Sequence, residues 1–252
     1  MKDIKVYNIT KRFGNFTALN NVTVSILPEK ITAFIGPNGA GKTTLFHIIT
    51  GELKPNTGKV YLGEENITGL PAWRVATKGI GRLFQDVRFF GSLTVLENVI
   101  IAIQNRKVES PIWSLSHPLS VKEVKKRYEN EAMSWIEFVG LEKEKERLAS
   151  ELSFGQQKLL SFARLMAGGF DILLLDEPTA GIHPKMIKKI ENLLEKIVSE
   201  HKKTVAIIEH NMSVILNIAD WVYFMNEGRI AFFGRADHVL GAKEVREAYL
   251  GL

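Results

Sequence analysis

An apolar run from Ile31 to Ile35 stops at a turn, Gly36-Pro37-Asn38-Gly39-Ala40-Gly41, and a second apolar run opens directly behind Lys42-Thr43-Thr44. A strand-to-helix connection needs only one or two turn residues, so this turn looks built to hold something. Its spacing, G-x-x-x-x-G-K-[ST], is that of a phosphate-binding loop set between a strand and a helix. Glycines let successive backbone N–H groups point into one concavity. The helix behind them adds the positive end of its dipole. Lys42 supplies a full charge for the outer phosphates, and Thr43 offers a hydroxyl to Mg²⁺.

The rest of the chain fits a fold that can carry such a loop. Val22, Val24 and Ile26 alternate with polar residues, as in a half-buried strand. Residues 1–30 otherwise read as short β-like pieces, followed by a helix over Lys42 to Thr50 and strands over Lys59–Leu62 and Ile80–Phe84. From about Asp86 to Met166 the pattern turns helical and charge-rich, interrupted by an irregular stretch from Arg106 to Ser120 with Pro111 and Pro118. Strands return over 172–175, 205–208, 221–225 and 229–233, with a long helix from Pro184 to Glu200. Alternating strands and helices at both ends predict an α/β fold with a mostly parallel sheet, into which a helical lobe is inserted. The expected division is an α/β core from residues 1–85 and 167–252 and a helical subdomain from 86–166.

Composition narrows the class. The 252 residues are 45% hydrophobic and 24% charged, as in a globular chain. No uninterrupted apolar stretch is long enough to span a bilayer, and the first residues lack the apolar core of a signal peptide. Without cysteine there is neither disulfide nor thiolate metal site. The net charge of +5 reads first as a solvated surface with a small excess of lysine, and mildly favours acidic partners: nucleotides, nucleic acid or an anionic membrane face.

Three more strand ends carry polar residues. In DILLLDEPTAGIHP the apolar run Ile172–Leu175 ends at Asp176 and Glu177. Ligands of open parallel sheets bind beyond such ends. Asp176 is placed to hold Mg²⁺, and Glu177 to activate or orient a water against the γ-phosphate. In TVAIIEHNM the strand is followed by Glu209 and His210; a lone histidine is more often structural, and a phosphate-sensing role for His210 rests on its place at a third strand end together with a family resemblance. In GIGRLFQ, Gln85 ends an apolar run, a weak signal on its own; only a family resemblance makes it a further metal-ligand candidate. There is no N-K-x-D sequence, the usual source of guanine selectivity. In LSFGQQKLLSFARLMAGG, Ser153 and Gln156 form a capping box that starts a helix with one apolar face, stopped by Gly168-Gly169.

With these motifs in this order the chain resembles the ABC ATPases, a P-loop NTPase family, over nearly its whole length. Gly36 to Thr44 match the Walker A motif, Gln85 the Q-loop, Leu152 to Gln156 the LSGGQ signature, Ile172 to Glu177 the Walker B motif with its glutamate, and His210 the switch histidine. Phe13 falls where the family stacks an aromatic on adenine. The resemblance implies an N-terminal antiparallel β subdomain, ATP and Mg²⁺ as ligands, and hydrolysis by a head-to-tail dimer. In that dimer Ser153, Gly155 and Gln156 face the nucleotide bound by Gly36, Pro37, Asn38, Gly39, Ala40, Gly41, Lys42, Thr43 and Thr44 of the other subunit. The sequence departs from the family at Phe154, in place of the first signature glycine, and at His183, in place of the D-loop aspartate; the role of that aspartate is not carried over.

DNA-repair members of the family insert coiled coils or zinc modules, and translation-factor members carry two nucleotide domains. This chain does neither, which points to a transporter subunit bound to a transmembrane permease on the cytoplasmic face, with no nucleic acid expected. Phe89, Phe90 and Leu93, ahead of a helix capped by Thr94 and Glu97, are either ordinary core anchors or a groove for a permease helix. FQDVRFFGSLTVLENV, the insertion near Arg106, EHNMSVILNIAD and EVREAYLGL resemble the ATPases of branched-chain amino acid importers, which pair two non-identical subunits. The partner is therefore a paralogue or a second copy. Lipopolysaccharide-export ATPases and non-transport ABC ATPases are the alternatives.

Overall fold

The computed structural model describes residues 2–84, 89–103 and 118–250. They form two units, Met1–Gln85 with Phe170–Leu252, and Asp86–Gly169. The helical unit runs slightly past the sequence boundary at 166, because its last helix continues to Ala167 and is capped at Gly168.

The first unit holds two sheets. Its strands are β1 (Ile4–Phe13), β2 (Phe16–Ile26), β3 (Ile31–Ile35), β4 (Thr57–Leu62), β5 (Glu65–Asn66), β6 (Ile80–Leu83), β7 (Ile172–Asp176), β8 (Thr204–Ile208), β9 (Trp221–Asn226) and β10 (Arg229–Gly234). One sheet, in the order β2-β1-β4-β5, is antiparallel. The short pieces expected before residue 30 are in fact two long strands. The sequence alternation breaks because the β1–β2 register shifts between Val6 and Ile9 and again near Lys11. Asn8 and Asn21 take positive φ there, as extra residues in a bulged ladder do.

The second sheet has the order β10-β9-β3-β8-β7-β6. Strands β9, β3, β8, β7 and β6 are mutually parallel, and only β10 runs antiparallel, against β9. Every residue of β3, β7 and β8 is buried. That explains their continuous apolar runs, since a parallel strand covered on both faces has no polar side. Helix α1 (Lys42–Ile49) follows β3, and α2 (Ala72–Ala76) precedes β6. Leu45, Phe46, Ile48 and Ile49 of α1 pack with Phe34 and with the inner face of the antiparallel sheet, Ile4, Val6, Val24 and Val60, in one apolar core. Tyr223 ties the sheets together: its hydroxyl accepts from Ser25 N at 3.0 Å and donates to Ser25 O at 3.2 Å.

In the second unit α3 (Val95–Ala102), α4 (Pro118–Val139) and α5 (Phe154–Ala167) pack against one another through Val95, Val99, Ala132, Ile136, Leu160 and Phe162, all fully buried. Helix α3 carries the expected capping box of Thr94 and Glu97. The loop before it is held from within. Asn98, fully buried, accepts from Phe90 N at 2.9 Å and donates to the carbonyls of Phe90, Leu93 and Thr94. The remaining helices, α6 (Pro184–Ser199), α7 (Met212–Ile218), α8 (Ala236–Gly241) and α9 (Lys243–Leu250), belong to the first unit.

Asn98→Ala leaves one part-buried N–H and three carbonyls without their partner. It is expected to destabilise the chain by about 1–3 kcal/mol, read as a lower urea midpoint.

Candidate functional site

Five parallel strands direct their C-terminal ends to one edge of the core sheet, and the chemistry-bearing loops follow from there. The 36–41 loop leaves β3, the Glu177 turn leaves β7 and the His210 turn leaves β8. Gln85, which follows β6, lies outside the described residues.

The loop needs its glycines for two physical reasons. Gly36, Gly39 and Gly41 have φ of 143°, 80° and 98°, which L side chains rarely adopt. A Cβ on Gly36 would lie 2.0 Å from Met225 O, and one on Gly41 2.6 Å from Ala18 O. The loop is thus clamped between β9 and β2, and Gly228 N donates to Ala40 O at 3.2 Å on the same side. Among the described residues the backbone N–H groups of Gly39, Gly41, Lys42, Thr43 and Thr44 have no hydrogen-bond acceptor. Converging orphan donors at a helix start are what an anion requires.

Lys42 is buried, and its Nζ donates to Gly36 O at 2.7 Å and Pro37 O at 3.0 Å. Burial pushes its pKa below the ordinary 10.5, opposed by the charges of Glu177 and Asp176. Asp176 is buried at the end of β7. Burial raises its pKa, and the Arg82 guanidinium, 2.9 Å from Oδ2, pulls the other way. Arg82 also reaches Glu52 at 3.0 Å.

Glu177 takes φ of +48°, and its N–H donates to Ile208 O at 2.9 Å. This brings its Oε1 within 3.1 Å of His210 Nε2. The sequence assigned these two residues separate roles; the structure sets them against each other. Phe13 sits at the tip of the β1–β2 hairpin, half exposed, with Lys11 Nζ 5.0 Å from its ring centroid. His183, in place of an aspartate, caps α6: its Nδ1 accepts from Lys185 N at 3.3 Å.

Ser153, Gly155 and Gln156 belong to the helical unit. Ser153 and Gln156 form the reciprocal capping box at the start of α5, and Gln156 Nε2 also donates to Glu144 at 3.2 Å. Phe154 is exposed, with Lys158 Nζ 5.5 Å from its ring centroid.

Two residues of the core site were given no role from the sequence. Arg82 shows there only as a charge inside a buried strand, the signal that would have flagged it. Glu209 shows as an acid at the end of an apolar strand; it is buried and turns back into the protein.

The donor set fits a magnesium-bound nucleoside triphosphate. The orphan N–H groups and Lys42 suit the phosphates. The Thr43 hydroxyl and the Asp176 carboxylate are hard oxygen ligands of the kind Mg²⁺ takes alongside phosphate oxygens.

Comparison with known proteins gives the family of the chain. The family profile described as ABC transporter matches residues 19–180. The high-affinity branched-chain amino acid transport ATP-binding protein LivG of Escherichia coli (strain K12) is 36% identical over 249 residues, 98% of this chain and 97% of that protein. The crystal structure of an ATP-binding cassette of an ABC transporter in its ADP conformation superposes with a TM-score of 0.85 at 34% identity, covering 100% of both chains. A dimeric post-hydrolysis cassette bound to ADP and Pi superposes with a TM-score of 0.77 at 27% identity, over 92% of this chain and 98% of that one.

Two outcomes follow. Gly36→Ala drives a methyl group into Met225 O and should weaken nucleotide binding about tenfold or more, read by titration with a fluorescent nucleotide. Lys42 loses its proton more readily than an exposed lysine, and a bound phosphate favours the charged form. Above the depressed pKa, binding must therefore take up a proton, and affinity should fall as pH rises towards 10.5. Calorimetry of the wild-type chain in two buffers of different ionisation enthalpy measures that uptake, which should vanish well below the depressed pKa.

Proposed function

Because the chain belongs to the ABC transporter family, we propose that it is the ATP-hydrolysing subunit of a branched-chain amino acid importer. It works as a head-to-tail pair with a second nucleotide-binding subunit, a paralogue or a copy of itself, beneath transmembrane permease subunits on the cytoplasmic face. The observation that carries the catalytic part is the contact between Glu177 and His210 at the sheet edge that also bears the Lys42 loop.

Phosphates entering the loop replace the Gly36 and Pro37 carbonyls as partners of Lys42, and the loop N–H groups receive the phosphate oxygens. Thr43, Asp176 and Gln85 would hold Mg²⁺, which would supply neutralisation of charge on the outer phosphates. Glu177 Oε1 orients the attacking water, and His210 fixes the carboxylate while its imidazole senses the γ-phosphate. Phe13 receives the adenine at the hairpin tip. Ser153, Gly155 and Gln156 serve the nucleotide of the partner subunit through the N-terminus of α5, where orphan N–H groups and the helix dipole favour an anion.

The transport assignment is supported by the kinship with LivG over almost the whole chain. No described helix is long and apolar enough to cross a membrane, so attachment is assigned to separate permease subunits. Their docking site is the loop of Phe89, Phe90 and Leu93, which Asn98 holds in shape while Phe90 stays exposed.

Glu177→Gln should bind nucleotide with unchanged affinity and hydrolyse it about 10²–10⁴-fold more slowly, accumulating an ATP-bound dimer. Lys42→Ala should not bind. Wild-type turnover by Glu177→Gln would overturn the assignment, as would a specific activity unaffected by dilution in a chain shown by sizing to be monomeric. Co-purification from native membranes tests the importer: permeases with a second ATPase are expected, and nucleic acid or ribosomes without a membrane protein would refute it.

A further inference from the structure

Glu209 is a residue with 3% of its surface exposed, next to the switch histidine, and the hydrogen bonds of its carboxylate run to two turns. Oε1 accepts from Thr179 N at 2.9 Å and from the Thr179 hydroxyl at 2.5 Å. Oε2 accepts from His210 N at 3.1 Å and Asn211 N at 3.4 Å. Thr179 lies two residues past Glu177 on the segment leaving β7, and His210 and Asn211 open the segment leaving β8. These are the two segments that the Glu177–His210 contact bridges on its side-chain side. One carboxylate therefore fixes both backbones between which the catalytic pair must meet.

We propose that Glu209 is the positioning residue of the Glu177–His210 pair: it clamps the turn after β7 to the turn after β8, so that His210 Nε2 stays within reach of Glu177. The proposal rests on the catalytic reading of that pair given above.

The chemistry of the clamp requires acceptors at both ends. Glu177 stands at φ +48°, a conformation that persists only where the surroundings hold it. Its own N–H is held by Ile208 O, and the chain two residues on is held by Glu209. On the other side, Asn211 caps α7 through its side chain, accepting from Ser213 N and Val214 N. The His210 backbone is thus fixed between a clamped start and a capped helix. A glutamine keeps the shape but offers one acceptor and one NH₂ group. Whichever way it turns, the NH₂ faces backbone N–H donors, and one of the two turns is released. A displacement of about 1 Å at a reacting group can cost on the order of a hundredfold in rate.

The experiment compares wild type, Glu209→Gln, His210→Ala and the double variant in the full chain, measuring ATP turnover, nucleotide affinity and melting temperature. The expected result for Glu209→Gln is a kcat lowered about ten- to hundredfold with nucleotide affinity near wild type. In the His210→Ala background the same substitution should lower kcat no further, because Glu209 acts by keeping the Glu177–His210 contact, which that variant has already lost. The histidine ring signals in NMR add a direct readout. The His210 signal, identified by its loss in His210→Ala, should shift in Glu209→Gln, while those of His201 and His238 should stay in place. Thr179→Val, which removes only the hydroxyl bond, should lower kcat by a smaller factor; it supplies the same comparison if Glu209→Gln does not fold. Wild-type kcat in a folded Glu209→Gln, an unmoved His210 signal, or an equal loss in the His210→Ala background would overturn the clamp. Wild-type turnover in His210→Ala itself would remove the catalytic reading, and the clamp with it, which separates the two failures.

Discussion

The site depends on the parallel alignment of β3, β8 and β7. Ile31 faces Val205 across one pairing, and Ile172 faces Thr204 across the next. Strands in that register end together, so the glycine loop, the acidic turn and the histidine turn emerge side by side although they lie far apart in sequence. The alignment is held by burial. All three strands are covered on both faces, and a slip by one residue would unpair backbone groups that have no access to water.

Burial that fixes the strands also shapes the electrostatics. Lys42 and Asp176 both sit where the charged form is penalised, and each is moved towards neutrality. The protein answers with short-range partners: two loop carbonyls for Lys42, Arg82 for Asp176. Arg82 in turn holds Glu52, which accepts from the Thr50 hydroxyl at 2.9 Å at the end of α1. A chain of polar contacts therefore runs from the helix behind the glycine loop to the carboxylate at the end of β7. Such networks raise the cost of any member left alone, which keeps the geometry set before a ligand arrives.

The two departures from the family pattern were read from the sequence as substitutions and acquire local roles in the structure. His183 uses its ring nitrogen as a helix cap, work an aspartate oxygen also does. Phe154 leaves the capping box of Ser153 and Gln156 intact and sets an aromatic ring beside Lys158. Neither change disturbs the element that carries it.

The sequence by itself determined what is encoded within a few residues. The glycine loop, the buried apolar runs, the capping boxes of α3 and α5, and the stop of α5 at its glycines were legible because turn chemistry, strand burial and capping act locally. The long β1 and β2 were misread as fragments because bulges break the period on which that reading depends. Only the tertiary structure decided that β8 lies between β3 and β7, that Arg82 meets Asp176 across 94 positions, and that Glu209 meets Thr179 across 30. Those contacts follow from which strand pairs with which, and pairing is settled by the burial of whole faces against one another.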